Sequence, residues 1–216
     1  KKLLTMLLFA VSFIYASQTW VVGEVFTESW WSYCPDARAG IKALADNQEF
    51  VVPLIFEGDQ NTSPQYTQRS QMYSVSGIPH VQFAGTNPVV GGGTDMYPYY
   101  LSEYEQIVGE DAPLSIGVTM NVNEAGLLEI EADIDLSANI TTNNNKLQFM
   151  ITNYYSDSYS CSVQRYAEYD FALNSAGQSE TFTQTFDIDG QWDLASVKGI
   201  VLVQTFSGDH KIHNAG

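Results

Sequence analysis

The sequence predicts a chain of mixed class, an α/β first half of order β-α-β-α-β-β-α followed by an all-β antiparallel sandwich. Three observations predict it. Up to Gly109, apolar β-branched runs alternate with segments of helical spacing. After Ala112-Pro113 the helical spacing stops, and strand-like segments separated by turn-formers take over. At 216 residues the chain has room for two cores, and its 44% hydrophobic and 13% aromatic content argues against disorder.

Lys1-Lys2 precede an apolar run, residues 3–16, broken only by Thr5 and Ser12. A basic start, a short apolar stretch and a small residue at its end are the marks of a secretory signal peptide. A membrane span needs about 20 apolar residues. Residues 1–17 are therefore expected to be a signal peptide cleaved near Ser17 or Gln18. The protein is expected to be exported, to the periplasm, outer membrane, cell surface or medium.

Residues 18–111 are expected to form the α/β domain. Residues 21–26 are a β-branched run that reads as a buried strand. Residues 32–47 read as a helix: Ala37, Ile41, Leu44 and Ala45 recur at spacings of three and four, and Pro35 sits in the first turn, where its missing N–H costs nothing. Residues 50–56 are nearly continuous in apolar side chains, which suits a strand covered on both faces. Residues 62–73 read as a polar helix, 80–84 and 88–90 as a hairpin, and 97–108 as a closing helix with Thr94 as its N-cap.

Residues 112–216 are expected to form the sandwich. Residues 114–122, 127–135, 147–153 and 198–206 are strand-like. Ile130, Ala132, Ile134 and Leu136 alternate with Glu131, Asp133 and Asp135, giving one dry and one wet face. Turn-formers fill 123–126 and 141–145.

The segment Phe26-Thr27-Glu28-Ser29-Trp30-Trp31-Ser32-Tyr33-Cys34-Pro35 joins the first strand to the first helix. A helix N-terminus there stabilises a thiolate through its dipole and free N–H groups. Further on, Tyr73-Ser74-Val75-Ser76-Gly77-Ile78-Pro79-His80 leads into a strand, with Pro79 lying 48 residues after Trp31. An X-Pro at that place suits a cis-proline loop facing the cysteine site.

On these residues the chain resembles the thioredoxin-like superfamily, and within it the thioredoxin-like outer-membrane proteins of bacteria. Their head reads roughly Phe-Thr-Gly-x-Trp-Cys-Gly-Tyr-Cys-Pro. Phe26, Thr27, Trp30, Tyr33, Cys34 and Pro35 match, whereas Glu28, Trp31 and Ser32 depart. Arg69, Tyr73, Gly77 and Pro79 match the downstream pattern, and the chain end through Lys211-Ile212-His213-Asn214-Ala215 is similar to the family's ending. The resemblance implies a thioredoxin-like head and a β-sandwich tail. It also implies a protein- or peptide-binding face around Trp30, Trp31, Tyr33, Pro79 and His80, with outer-membrane or cell-surface association.

Trp31 stands where that family has its first Cys, the exposed low-pKa nucleophile; Cys34 holds the second, resolving position. One thiol cannot complete a two-electron dithiol cycle, and a bulky Trp is expected to cover it. The leading expectation is a binding or structural module with a degenerate Trp-Ser-Tyr-Cys motif. The alternative is a thiol-disulfide oxidoreductase or isomerase with Cys34 as its catalytic residue. Trp30 is expected to pack on the first helix. Trp31 reads equally as part of an indole platform for extended chains or as a plug for the vacated site. His80 is expected to be polar surface rather than a group tuning Cys34. Cys34 and Cys161 fall in different halves and are expected as separate thiols.

Other patterns are weaker. Asp187-Ile188-Asp189-Gly190-Gln191-Trp192-Asp193 echoes a calcium loop but lacks the remaining ligands, so it is expected to be a hairpin turn, and a calcium-dependent adhesin is a third reading. His210 and His213 have only Asp209 beside them, too few groups for zinc. Gly91-Gly92-Gly93 lacks the Lys of a phosphate loop and reads as a flexible turn. The Tyr-rich stretch 154–169 reads as packing at least as well as a ring surface for sugars or peptides. No metal or other cofactor is expected. The formal net charge of −16 repels phosphate backbones, so no nucleic-acid partner is expected.

Overall fold

A computed structural model describes residues 17–59, 62–153 and 161–216; the expected signal peptide therefore lies outside the described residues except for Ser17. The elements run β1 (Ser17–Gln18), β2 (Val21–Thr27), α1 (Cys34–Asn47), β3 (Val51–Glu57), α2 (Tyr66–Met72), β4 (His80–Phe83), β5 (Asn87–Val90) and α3 (Tyr97–Ile107). Then follow β6 (Asp111–Ala112), β7 (Leu114–Val122), β8 (Leu128–Leu136), β9 (Asn145–Asn153), β10 (Ser162–Asp170), β11 (Ser179–Phe186), β12 (Val197–Thr205) and β13 (Ile212–Ala215).

The chain is mixed α/β, with three α-helices among the described residues, one large sheet and smaller antiparallel ones. The large sheet has eight strands in the order β13-β12-β9-β10-β3-β2-β4-β5. It crosses the boundary placed between 111 and 112, because β10 of the second half lies parallel to β3 through the single pair Ser162↔Ile55. The Ile55 N–H also donates to the Cys161 carbonyl at 3.0 Å. β2 and β3 are parallel from Val21↔Val51 to Thr27↔Glu57, and β4 runs antiparallel to β2 with Phe26 opposite His80. At the far edge, β5 carries Pro88, which has no N–H to offer a further strand.

Three cores follow from the side-chain alternation. On one face of the large sheet, Val21 and Val25 of β2 pack with Ala37, Ile41 and Leu44 of α1 and Tyr100 and Tyr104 of α3. On the other, Val22, Phe26, Leu54 and Phe56 of the first half pack with Met150, Val163, Leu202 and Ile212 of the second. The third core lies between β9 and β12 and a separate three-stranded sheet, β11-β8-β7, and is built on Leu147, Phe149, Val201 and Val203 facing Ile116, Ile130 and Ile134. β9 and β12 thus bury both faces, which is why their runs are so apolar.

Several expectations change. The helix expected from residue 62 begins at Tyr66, because Pro64 and the left-handed Gln65 (φ 65°) hold the preceding turn out of the helix. The Tyr97 N–H is capped by the Asp95 carboxylate at 3.1 Å, not by Thr94. Strands β10, β11 and β13 come in addition to those expected; β10 takes the later part of the Tyr-rich stretch, whose residues 154–160 lie outside the described residues.

The halves are also joined by polar groups. Arg69 of α2, 2% exposed, donates to the Glu24 carboxylate of β2 (Nε–Oε1 2.6 Å), to Gln148 of β9, to Gln204 of β12 (2.9 Å) and to the Tyr73 hydroxyl (3.2 Å). Tyr73 donates in turn to Glu24, and the Gln204 amide donates to Tyr73 (2.6 Å) and to the His210 carbonyl (2.8 Å). Gly85, at φ +79°, lies so close to His210 that a Cβ would stand 2.0 Å from its carbonyl oxygen, so only glycine fits.

Candidate functional site

The β2–α1 junction, residues 28–33, carries most of the candidate site side chains. Cys34 opens α1 with Pro35 behind it, and its N–H closes a turn onto the Trp31 carbonyl at 3.1 Å. The thiol is fully buried (0%), and its Sγ accepts the Glu28 N–H at 3.5 Å. Cys34 and Cys161 are both free, as expected.

Around this buried sulfur the aromatic side chains face outward. Trp30 is 65% exposed, Tyr33 50% and Trp31 39%. Their rings touch in series: Trp30–Trp31 centroids lie 5.3 Å apart at 72°, and Trp31–Tyr33 centroids 6.2 Å apart at 57°. The expectation that Trp30 packs on the first helix is corrected. Its Nε1 donates to the Glu28 carboxylate, which anchors the indole at the rim and leaves its faces in water. Glu28 also accepts from the Tyr66 hydroxyl at 3.5 Å, and with burial this neighbour pushes the Tyr66 phenol up to about 12. Asp59 fixes the loop from the other side, accepting the Ser29 N–H at 3.0 Å and its hydroxyl at 2.5 Å.

The Ile78–Pro79 bond is cis, as the sequence suggested. Pro79 is buried beside the aromatic group, and its carbonyl accepts the Gly91 N–H at 2.8 Å. Gly92 is what allows the approach: a Cβ there would meet the Tyr33 carbonyl oxygen at 2.6 Å, Tyr33 Cβ at 2.8 Å and Pro79 Cγ at 3.3 Å. Gly92 is thus a close-packing device between Tyr33 and Pro79, within a run whose Gly91 and Gly93 have open space around them.

His80 is not polar surface. It is 5% exposed, its ring bonds Gln82 Oε1 at 2.9 Å and it stands edge-on to Phe26 at 6.0 Å. The pairing of His80 with Phe26 on adjacent strands puts both on the same face of the sheet. Among the described residues no hydrogen bond joins His80 to Cys34, so the structure brings together Trp30, Trp31, Tyr33, Cys34 and Pro79 and leaves His80 inside the wall behind them.

Beneath the junction lies a charged pair that the sequence reading passed over. Arg38 and Glu57, each 2% exposed, stand 3.6 Å apart, and Arg38 donates to Thr27 Oγ1 at 2.7 Å. Burial pushes the Glu57 carboxyl up to about 7 against the pull of Arg38, and Asp59 and Glu28 push the same way. The available signal is a lone acid ending an apolar strand. Elsewhere, Asp189 and Asp193 accept backbone N–H groups of Gln191 (2.9 Å) and Ala195 (3.0 Å), the arrangement of a turn. His213 is buried against Thr142, Thr205 and Asn145.

No protein-family model and no curated protein matches the chain. Among solved structures, HBP35 of Porphyromonas gingivalis superimposes on it with a TM-score of 0.69 at 19% identity, over 94% of this chain and 76% of that one. At that identity the likeness is one of fold, and it extends across both halves of the chain.

Proposed function

We propose that this is an exported envelope or cell-surface protein whose first half is a thioredoxin-like domain, serving as a binding face for a protein or peptide instead of a dithiol redox centre. One observation carries the reading. At the β2–α1 junction the sulfur is shut away while the rings are out: Cys34 is 0% exposed, and Trp30, Trp31 and Tyr33 present open faces beside cis-Pro79. A thiol enzyme needs the reverse, an exposed thiolate with a resolving partner. Aromatic rings next to a buried proline loop suit an extended chain, which gains rigid contact area at small entropic cost. The second half extends the same sheet and serves attachment or assembly.

Two measurements on the protein lacking its expected signal peptide test this. Insulin-type disulfide reduction is expected to stay at the small-thiol background in the natural protein and to rise only in Trp31→Cys. Binding of an unfolded polypeptide, read by tryptophan fluorescence, is expected to weaken at least tenfold in Trp31→Ala. Turnover that disappears in Cys34→Ser would instead make the protein a thiol-disulfide oxidoreductase.

A further inference from the structure

The aromatic face has a charge as well as a shape. Residues 17–111 hold three basic side chains, Arg38, Lys42 and Arg69. Arg38 and Arg69 are buried in pairs with Glu57 and Glu24, and Lys42 faces Asp46 along α1 at 2.5 Å. Among the described residues of 17–111 none of these basic side chains is left at the aromatic group, while Glu28 touches Trp30, Asp59 pins Ser29 and Asp36 lies in the first turn of α1. The ring contacts are steep, 72° between Trp30 and Trp31 and 57° between Trp31 and Tyr33, so neighbouring ring faces are set at an angle to each other, with the Glu28 carboxylate at the Trp30 edge. Crossed aromatic rings with an acid at their edge form the chemistry that receives an alkylammonium or guanidinium group, through cation–π attraction and the nearby charge.

We propose that the Trp30-Trp31-Tyr33 group recognises a basic side chain, Arg or Lys, carried by an extended peptide that passes cis-Pro79. This rests on the peptide-binding reading and deepens it by naming the ligand's chemistry. A peptide is favoured over a free cation because Tyr33 is locked against Pro79 through Gly92, which sets the rings beside the loop an extended backbone would follow. The formal net charge of −16 steers such a partner in and makes its approach salt-dependent.

The test uses two peptides of Gly, Ser and Gln that differ at one central residue, Arg in one and its uncharged isostere citrulline in the other. Binding is followed by tryptophan fluorescence at low and high salt. The Arg peptide is expected to bind about three- to thirtyfold more tightly, the span of one desolvated cation–π contact with its carboxylate. That advantage is expected to shrink at high salt and in Glu28→Gln, which keeps an oxygen for Trp30 Nε1 but removes the charge. Phosphatidylcholine vesicles are expected not to displace the Arg peptide. Equal affinity for both peptides overturns the cation assignment and leaves the peptide-binding reading standing. Failure of both to bind at millimolar concentration overturns both readings. Vesicles that displace the Arg peptide assign the rings to a lipid headgroup and overturn the peptide assignment.

Discussion

Replacing Arg69 with Met is expected to be the most damaging single change outside the apolar cores. Arg69 is 2% exposed and reaches Glu24 and Tyr73 from the first half and Gln148 and Gln204 from the second. Its removal leaves the fully buried Glu24 carboxylate without its cation. Breaking a buried pair by deleting one partner costs about 3–5 kcal/mol, and the stranded amide oxygens fall within that figure instead of adding fully to it. Against a net stability of roughly 5–15 kcal/mol this is a large fraction. For a chain of this size each kcal/mol moves the midpoint by about 2–4 °C, so thermal unfolding should come roughly 6–20 °C earlier. The assay is denaturant unfolding of the wild type, Arg69→Met, Glu24→Gln and the double variant, followed by far-UV circular dichroism and tryptophan fluorescence. Because the network ties both halves together, the two signals should move in one transition. The double variant should be less destabilised than the sum of the singles, since it strands no charge. A loss under about 1 kcal/mol in Arg69→Met, or strict additivity in the double variant, would refute the reasoning.

Three further outcomes follow from other sites. Glu57 binds its proton more tightly folded (about 7) than at its ordinary value of 4.5, so the wild type should lose stability as pH rises through that interval; Glu57→Gln should flatten the slope, a difference of about 2–3 kcal/mol between pH 5 and 8, and parallel pH profiles would count against it. His213 has the opposite sign: burial holds it near 4, below its ordinary 6.5, so stability should fall as pH drops from 6.5 toward 4, and His213→Asn should abolish that fall in urea titrations at each pH. Gly92→Ala puts a methyl 2.6 Å from the Tyr33 carbonyl oxygen and should cost about 1–3 kcal/mol while weakening peptide binding; wild-type affinity in that variant would show that the Tyr33–Pro79 approach is irrelevant to the face.

Much of this arrangement is legible in local pattern, and the rest depends on pairing. The helix at Pro35 and the strands at 21–27 and 51–57 carry strong signals, because a fully buried strand must be apolar throughout and a helix must repeat at three and four. β11 carries little such signal: Ser-Glu-Thr-Phe-Thr-Gln-Thr-Phe is half-exposed, and it is a strand because β8 pairs with it from Leu128 to Asp135. The joining of the halves within one sheet is equally hidden, since the β3–β10 ladder passes through one residue pair, Ser162↔Ile55, far apart in sequence. At the site, Cys34, Trp31 and Pro79 stand out by residue type alone. Arg38 and Glu57 do not, because a charge is ordinarily read as solvated, and only their mutual burial reveals them. The same prior misplaces His80 and Trp30: polar and apolar character predicts depth on average, whereas one hydrogen bond to Gln82 or Glu28 decides each case.

The core shared by Val22, Phe26, Leu54 and Phe56 with Met150, Val163, Leu202 and Ile212 bears on how this fold can be cut and recombined. A fragment ending at residue 111 would keep every residue of the aromatic face and yet strip Val22, Phe26, Leu54 and Phe56 of their second-half neighbours, leaving only Tyr66, Tyr73, Val75 and Ile78 over that side of the sheet and Arg69 without its glutamine partners. The first half is therefore not a portable cassette. The second half is a structural wall of the body that carries Trp31, and the two halves share one core rather than meeting at a separable interface.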